Sequence, residues 1–428
     1  MRTFFAATVF LGFLLGACAS AETIEATPET LPAILAAVNP GDTVVLADGV
    51  YKGDARLTRS GSAEKPIVIK PAGKSAVFDG GDTCLWLEGA SWVAVEGIRF
   101  QNAATAGMKV RMGDKPDAEH VTVRNCVFAD NKKWGIITSH VNSFTIEGCE
   151  TFGATIEHGI YVANSGDDNV IRNNLVHHNV GNGIHMNGDP SCGGDGVMSR
   201  LLCEGNKIWE NGSKGGSGLS VMHVQDSLFR NNLLYDNHAT GIVLFWYTGD
   251  EKTQSSKRNK ILNNTVFFRP GDGRLCLLMR KTAVDNIVKN NIFVGGKRGV
   301  VYAEPSCFDG FVSDCNVIAN HPGQRLFGDA EEEEAAKLAP DFEKIGVRID
   351  SKSGVEIAVA DWQKKGLDTH SSIGKMPVFS DPFGGKFRLD PESVGIGMGE
   401  HLADVPADIT GAPRPSDKPR DCGCYQSR

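Results

Sequence analysis

Two short segments, GIYVAN from Gly159 and GIHMNGD from Gly183, put Tyr161 and His185 at the same place in the same phrase. The phrase recurs as GMKVRM from Gly107, GIITSH from Gly135, GLSVMH from Gly218 and GIVLFW from Gly241. Side chains of an extended strand alternate between its two faces. The second and fourth positions are apolar in Met108 and Val110, Ile160 and Val162, and Ile184 and Met186, so they point inward. The third and fifth positions then point outward in two columns. One holds Lys109, Ile137, Tyr161, His185, Ser220 and Val243; the other holds Arg111, Ser139, Ala163, Asn187, Met222 and Phe245. A tyrosine and a histidine one rung apart, about 4.8 Å, suit proton abstraction next to a carboxylate followed by elimination across a glycosidic bond.

That chemistry sets the other roles. The C5 proton of a uronic acid becomes acidic only when its carboxylate is neutralised, and Asn187, Arg111 and Lys109 carry donors for this. Either His185 or Tyr161 takes the proton and the other protonates the leaving oxygen, given pKa values shifted toward neutrality by cations and burial. Asp189 follows Asn187, while His140, Asn164, His223, Trp246 and Tyr247 sit just past the strand ends along one rim. His158, beside Glu157, precedes the strand of Tyr161 at the groove edge. Trp246 and Tyr247 offer flat faces for a sugar ring, or close a packing gap under the insertion at 249–258. The expected result is an exposed basic and aromatic patch. Its ordinary alternative is a set of cross-strand pairs without chemistry. Asp189, Glu157 and Glu88 are the only candidate calcium ligands, so calcium is allowed without being required; no metal site or cofactor is assigned.

These residues need a scaffold that stacks equivalent strands. The chain supplies one in a repeat: VTVRNCVFADN, FTIEGCETFGA, VIRNNLVHHN, LLCEGNKIWEN, LFRNNLLYDN, KILNNTVFF, IVKNNIFVGG and FVSDCNVIAN. Taking the second residue of each polar pair gives Cys126, Cys149, Asn174, Asn206, Asn232, Asn264, Asn291 and Cys315, at intervals of 23 to 32 residues. A period of this size, carrying strands rather than helix pairs, predicts an all-β right-handed parallel β-helix whose coils bury one continuous core. The asparagines read as a ladder in which each amide satisfies the next turn's backbone, with the cysteines as small buried substitutes.

Composition fits a large soluble protein: 428 residues, 50 of them glycine, 41% hydrophobic, net charge -8. The acidic balance gives no general attraction to nucleic acid. Residues 1–21 read as an export signal, with Arg2, an apolar run over 4–15 too short to span a bilayer, and small residues after it. Leu15-Gly16-Ala17-Cys18 matches a lipobox that would lipidate Cys18 and provide the only membrane contact; Ala19-Ser20-Ala21 matches ordinary cleavage. Both readings place the protein in the periplasm, at the outer membrane or outside the cell, where disulfides are permitted. Cys192 and Cys203 flank a Gly-rich insertion that they could staple, and Cys422 and Cys424 could bond or stay free.

A short amphipathic helix with Leu31, Ile34, Leu35 and Val38 on one face is expected to plug the N-terminal end of the solenoid. The β-helix runs over 22–320. Residues 321–428 form an irregular C-terminal extension, with an acidic Ala-rich stretch as a solvated helix or loop, strands and turns from Val355, and terminal strands packing on the β-helix.

NPGDTVVLADGVYKGD with GSAEKPIVIKPAGKSAVFDG, then HGIYVANSGDDNVIRNNLVHHNVGNGIHMNGD, then DPFGGKFRLDPESVGIGMG with DITGAPRP, resemble bacterial right-handed parallel β-helix proteins of the pectate-lyase-like superfamily. The opening phrase is similar to the lyase family that contains chondroitinase B and alginate lyases. The resemblance, over about residues 30–420, implies the β-helix fold and action on an acidic polysaccharide or oligosaccharide, by β-elimination or, on the same fold, by hydrolysis or C5 epimerisation. A noncatalytic carbohydrate-binding surface protein is the reading from outside enzymes. In chondroitinase-B-like lyases a Lys and an Arg on adjacent coils carry the reaction; here Lys109 and Arg111 share one strand. The clustered aspartates of polygalacturonase-type hydrolases and the Asp-Pro-His-Asp phrase of alginate epimerases are absent from this sequence.

Overall fold

A computed structural model describes residues 21–112, 117–329, 332–352 and 354–427. The segment read as an export signal, apart from Ala21, lies outside the described residues, and so does Cys18.

The chain winds as a parallel β-solenoid of about ten turns, its short strands stacked into two 12-stranded sheets and one of ten strands. Each coil visits the first sheet, for example at Val121–Arg124, then the second at Val127–Ala129, then the third at Trp134–Ser139. Alternation sends Val, Ile, Leu and Phe inward, where they merge into one core. Stacking is visible inside it: the rings of Tyr51, Phe78, Phe100 and Phe128 follow one another at 5.2 Å per step.

The Asn ladder lies at the turn from the first sheet to the second. Asn174, Asn206, Asn232, Asn264, Asn291 and Asn316 are fully buried. Each passes its backbone N–H to the side-chain oxygen of the next, at 2.8–3.1 Å. Cys149 and Cys126 continue it toward the N-terminus, Cys149 N–H donating to Asn174 Oδ1 at 2.9 Å and Cys126 N–H to Cys149 Sγ at 3.4 Å.

The last rung corrects the sequence reading. Cys315 is left-handed (φ 56°) and occupies the preceding slot, while Asn316 takes the ladder position. That preceding slot is left-handed throughout, which explains its Asn and Gly residues. A Cβ on Gly148 or Gly205 would meet Asn125 Oδ1 at 2.7 Å or Asn173 Oδ1 at 2.4 Å. Two more ladders were not anticipated: Asn179, Asn211 and Asn237 at the next turn, and Ser227, Asn259 and Asn286 at the entry to the first sheet.

The helix Leu31–Ala37 forms as expected, with Leu31 and Leu35 buried, and a strand Thr23–Ala26 precedes it. The acidic stretch is the helix Glu332–Lys344, whose Phe342 packs toward Tyr302. The stretch after Val355 also contains a helix, Val359–Lys364, and the Trp362 side chain stacks on Phe327 at the C-terminal end of the core. Covering that end removes an exposed sheet edge. The tail lies along the left-handed slot: Asn231 Nδ2 donates to Ala407 O, Asn263 Nδ2 to Asp421 O, and Asn290 Nδ2 to Glu400 O.

Cys192 and Cys203 form no disulfide, one being exposed and the other buried in the core; Cys422 and Cys424 are buried thiols. The staple expectation fails because Cys203 points inward from the strand Leu202–Glu204, away from the insertion.

Candidate active site

The third sheet builds the two outward columns. Register pairs Lys109 with Ile137, Ile137 with Tyr161, Tyr161 with His185, His185 with Ser220, and Ser220 with Val243. Beside them run Arg111, Ser139, Ala163, Asn187, Met222 and Phe245. The recurrent glycine that opens each strand is forced by close approach: a Cβ on Gly159 would meet Gly183 O at 2.9 Å, and one on Gly183 would meet Gly218 O at 2.9 Å.

Tyr161 and His185 are stacked, centroids 4.9 Å apart and planes 22° from parallel. Asn187 Nδ2 donates to the Tyr161 hydroxyl at 2.8 Å. His158 meets both rings edge-on, 5.2 Å from Tyr161 and 4.8 Å from His185. Its Nδ1 accepts the Asn182 backbone N–H at 3.0 Å, which leaves a neutral ring's proton on Nε2, 3.8 Å from Glu157. Glu157 is fixed by Trp134 Nε1 at 2.7 Å and Lys133 at 3.2 Å. Among the described residues, His185 Nδ1 and Asn187 Oδ1 are buried without a hydrogen-bond partner.

The pKa shifts run opposite to the sequence expectation of values near neutrality. Burial, aided by His158, pushes His185 well below the ordinary imidazole range, with the Ser220 backbone pulling weakly the other way. Burial lowers His158 to about 4, against the attraction of Glu157. Burial raises the Tyr161 phenol, against the Asn187 hydrogen bond. Desolvation disfavours each charged form, so at neutral pH the site holds neutral imidazoles and a protonated phenol.

A stability prediction follows. Above pH 6.5 His158 is neutral folded or unfolded. As pH falls toward 4 the unfolded chain takes up a proton that the folded one refuses, so folding stability declines through that window, by up to about 3 kcal/mol from this residue. Chemical denaturation at several pH values should show a flatter decline for His158→Gln. Parallel curves for the variant and the parent would contradict it.

The remaining expected residues are placed differently from the open patch foreseen. Lys109 pairs with Asp82 at 2.8 Å, and Lys109 and Thr105 lower Asp82 to about 2. Arg111 pairs with Asp117 at 3.4 Å and donates to His140 Nδ1 at 2.8 Å. Both cations therefore already answer protein groups. His140 and His223 are buried, at 6% and 0% exposure, because the loop 189–197 folds back over the strand ends. His140 Nε2 meets Gly193 O at 3.0 Å, and Met198 N–H donates to His223 O. Asn164 Nδ2 donates to Ser139 Oγ at 2.8 Å. Asp189 caps the turn Pro190–Cys192, accepting from Ser191 N at 2.9 Å. Trp246 is half-buried, and Tyr247 is 67% exposed with its N–H on His223 Nε2 at 3.2 Å.

The three carboxylates named as candidate calcium ligands do not gather into one group among the described residues. Glu88 pairs with Arg56 at 3.6 Å, Glu157 and Asp189 are engaged as above, and among the described residues no three His, Cys, Asp or Glu side chains converge. A cavity of about 550 Å³ lies on another face, between residues 406–411 and Asn173, Glu204, Lys207 and Arg230. On the third-sheet face Tyr161 and Asn187 are half-buried and His185 is 9% exposed.

The sequence profile of the chondroitinase B family matches residues 26–304, well over half of the chain and every third-sheet strand that carries the two columns. This chain belongs to the chondroitinase B family. Among curated relatives of this family member, pectate lyase L of Thermoclostridium stercorarium is 24% identical over 342 residues, covering 70% of this chain. The chain spans 26% of that relative's length. Among solved structures, pectate lyase Pel9A superposes with a TM-score of 0.60 at 14% identity, over 96% of this chain and 98% of that one. A structure described as a glycoside hydrolase gives 0.51 at 11% identity, over 72% of this chain and 96% of that one. These likenesses show the pectate-lyase-like β-helix fold. The reaction must be argued from the site.

Proposed function

We propose that this chondroitinase B family member is an exported lyase that cleaves a uronate-containing polysaccharide by β-elimination. The observation that carries the reading is the stacked Tyr161–His185 pair, held in neutral forms beside Asn187. Neutral His185 has a lone pair at Nε2 to take the C5 proton; neutral Tyr161 has a proton for the leaving O4. As the C5–H bond breaks, its electrons form the C4–C5 double bond, and O4 departs from C4 with the pair of the broken C4–O4 bond and takes the phenol proton. Asn187 gives one amide N–H to Tyr161 and keeps the other for the substrate carboxylate, where negative charge develops. Its pairing with His140 leaves Arg111 a positioning role.

Incubation with a panel of uronate polysaccharides tests this. Ultraviolet absorbance of the conjugated product should rise on at least one of them. New reducing ends without that absorbance would instead support a hydrolase, and C5 inversion without chain cleavage an epimerase.

Export is part of the proposal, and it rests on residues 1–21. The mature N-terminus should begin at Cys18, lipidated, or at Glu22. Intact-mass measurement of protein recovered from the cell envelope checks this, and a retained Met1 would reject both forms.

A further inference from the structure

The cations of the groove face divide into two kinds. Lys109, Arg111 and Lys133 each meet an acidic side chain, and Arg280 pairs with Glu304 at 2.6 Å and with Glu334. Lys281 differs. Its backbone N–H is fixed on Glu304 Oε2 at 2.7 Å, yet among the described residues its ammonium pairs with no carboxylate and is exposed. It lies 5.5 Å from the centre of the Tyr247 ring. Tyr247 is itself held by its backbone to the buried His223 while two-thirds of the residue faces solvent. The neighbouring Trp246 Nε1 is buried and unpartnered among the described residues.

An exposed aromatic ring anchored from below, with an uncompensated ammonium beside it, presents a flat apolar face and a positive charge to one ligand. In the register, the strand leading to Tyr247 lies two rungs beyond His185, through Ser220 and Val243; Lys281 follows the next strand, where Leu278 pairs with Val243. Two rungs are about 10 Å along the stacking direction, and Tyr247 stands a further four residues along the chain from Val243, so only a chain that extends several sugar residues beyond the reacting pair reaches it.

We infer that Tyr247 and Lys281 form a distal subsite for one uronate residue of the bound chain, the sugar ring on Tyr247 and its carboxylate on Lys281. The inference rests on the proposed action at Tyr161 and His185, and it adds a requirement for chain length and for charge at a defined distance from the scissile bond. A neutral sugar at that position forgoes the ammonium contact, and a disaccharide at the reacting pair does not reach it.

Equilibrium binding of oligogalacturonates and oligomannuronates of graded length to the whole protein tests this apart from turnover. Lys281→Met, which keeps most of the stem and removes the charge, and Tyr247→Ala should each weaken binding of the longer chains about tenfold and leave disaccharide binding unchanged. Carboxyl-reduced long chains should bind the parent and Lys281→Met equally. Long-chain binding unaffected by either variant, or equal losses for short and long chains, would overturn the subsite. Length-dependent binding that yields no unsaturated product would overturn the lyase reading and leave the subsite standing.

Discussion

His185→Ala and Tyr161→Phe should each lower turnover by about 10²-fold or more, the scale of a lost general acid or base. Tyr161→Phe removes only the hydroxyl that Asn187 contacts and keeps the ring stacked on His185, so its far-ultraviolet spectrum and midpoint of unfolding should match the parent's. The pH profile separates a chemical role from a packing one. With His185 depressed and Tyr161 raised by burial, kcat/KM should hold a plateau whose acid limb lies below pH 6.5 and whose alkaline limb lies above pH 10. The base is lost only as pH falls through the depressed histidine value, and the acid only as pH rises through the raised tyrosine value. A profile centred on an ordinary histidine, or variants with near-full turnover, would assign the reaction to another face.

Asn206→Leu should destabilise the protein by about 3 kcal/mol. Asn206 Nδ2 donates to Asn232 Oδ1 and to Ile171 O, each at 2.9 Å. Its Oδ1 accepts from the backbone and side chain of Asn174, each at 3.0 Å. Leucine fills a similar volume and answers none of these, so the Asn174 N–H and the Ile171 carbonyl are orphaned in a dry turn, each costing roughly 1–3 kcal/mol. Urea denaturation should show a lower midpoint, and a variant as stable as the parent would mean that the ladder is incidental to folding.

The ladder and the alternating strands made the fold legible, because both follow from stacking identical coils and neither depends on distant contacts. The error at Cys315 came from aligning on the polar pair. The ladder residue is the one directly before the second-sheet strand, as Asn174 precedes Leu175 and Asn316 precedes Val317. The columns of Tyr161, His185 and Asn187 were legible for the same reason, since period-two alternation fixes a face once the inward residues are known. What escaped depends on side chains meeting across coils. Nothing local to His140 or His223 shows that the loop 189–197 will cover them. Lys109 meets Asp82 and Arg111 meets His140 across neighbouring coils, so their charge read as available. Burial of His185 under its neighbours, which reverses the expected direction of its pKa, is likewise a property of the assembled sheet. Tyr247 was identified as a flat face, but its partner Lys281 lies on the next coil, and only the register brings the two together.

The most direct test of elimination by Tyr161 and His185 is the mass of the oligosaccharides released from a uronate polysaccharide by the parent protein and by His185→Ala. The parent should release internal chains one water lighter than the hydrolysis products, with an unsaturated nonreducing end, beside one saturated fragment from each original nonreducing terminus, and His185→Ala should release almost none. Internal products carrying the added water, or unsaturated products formed equally by His185→Ala, would contradict it.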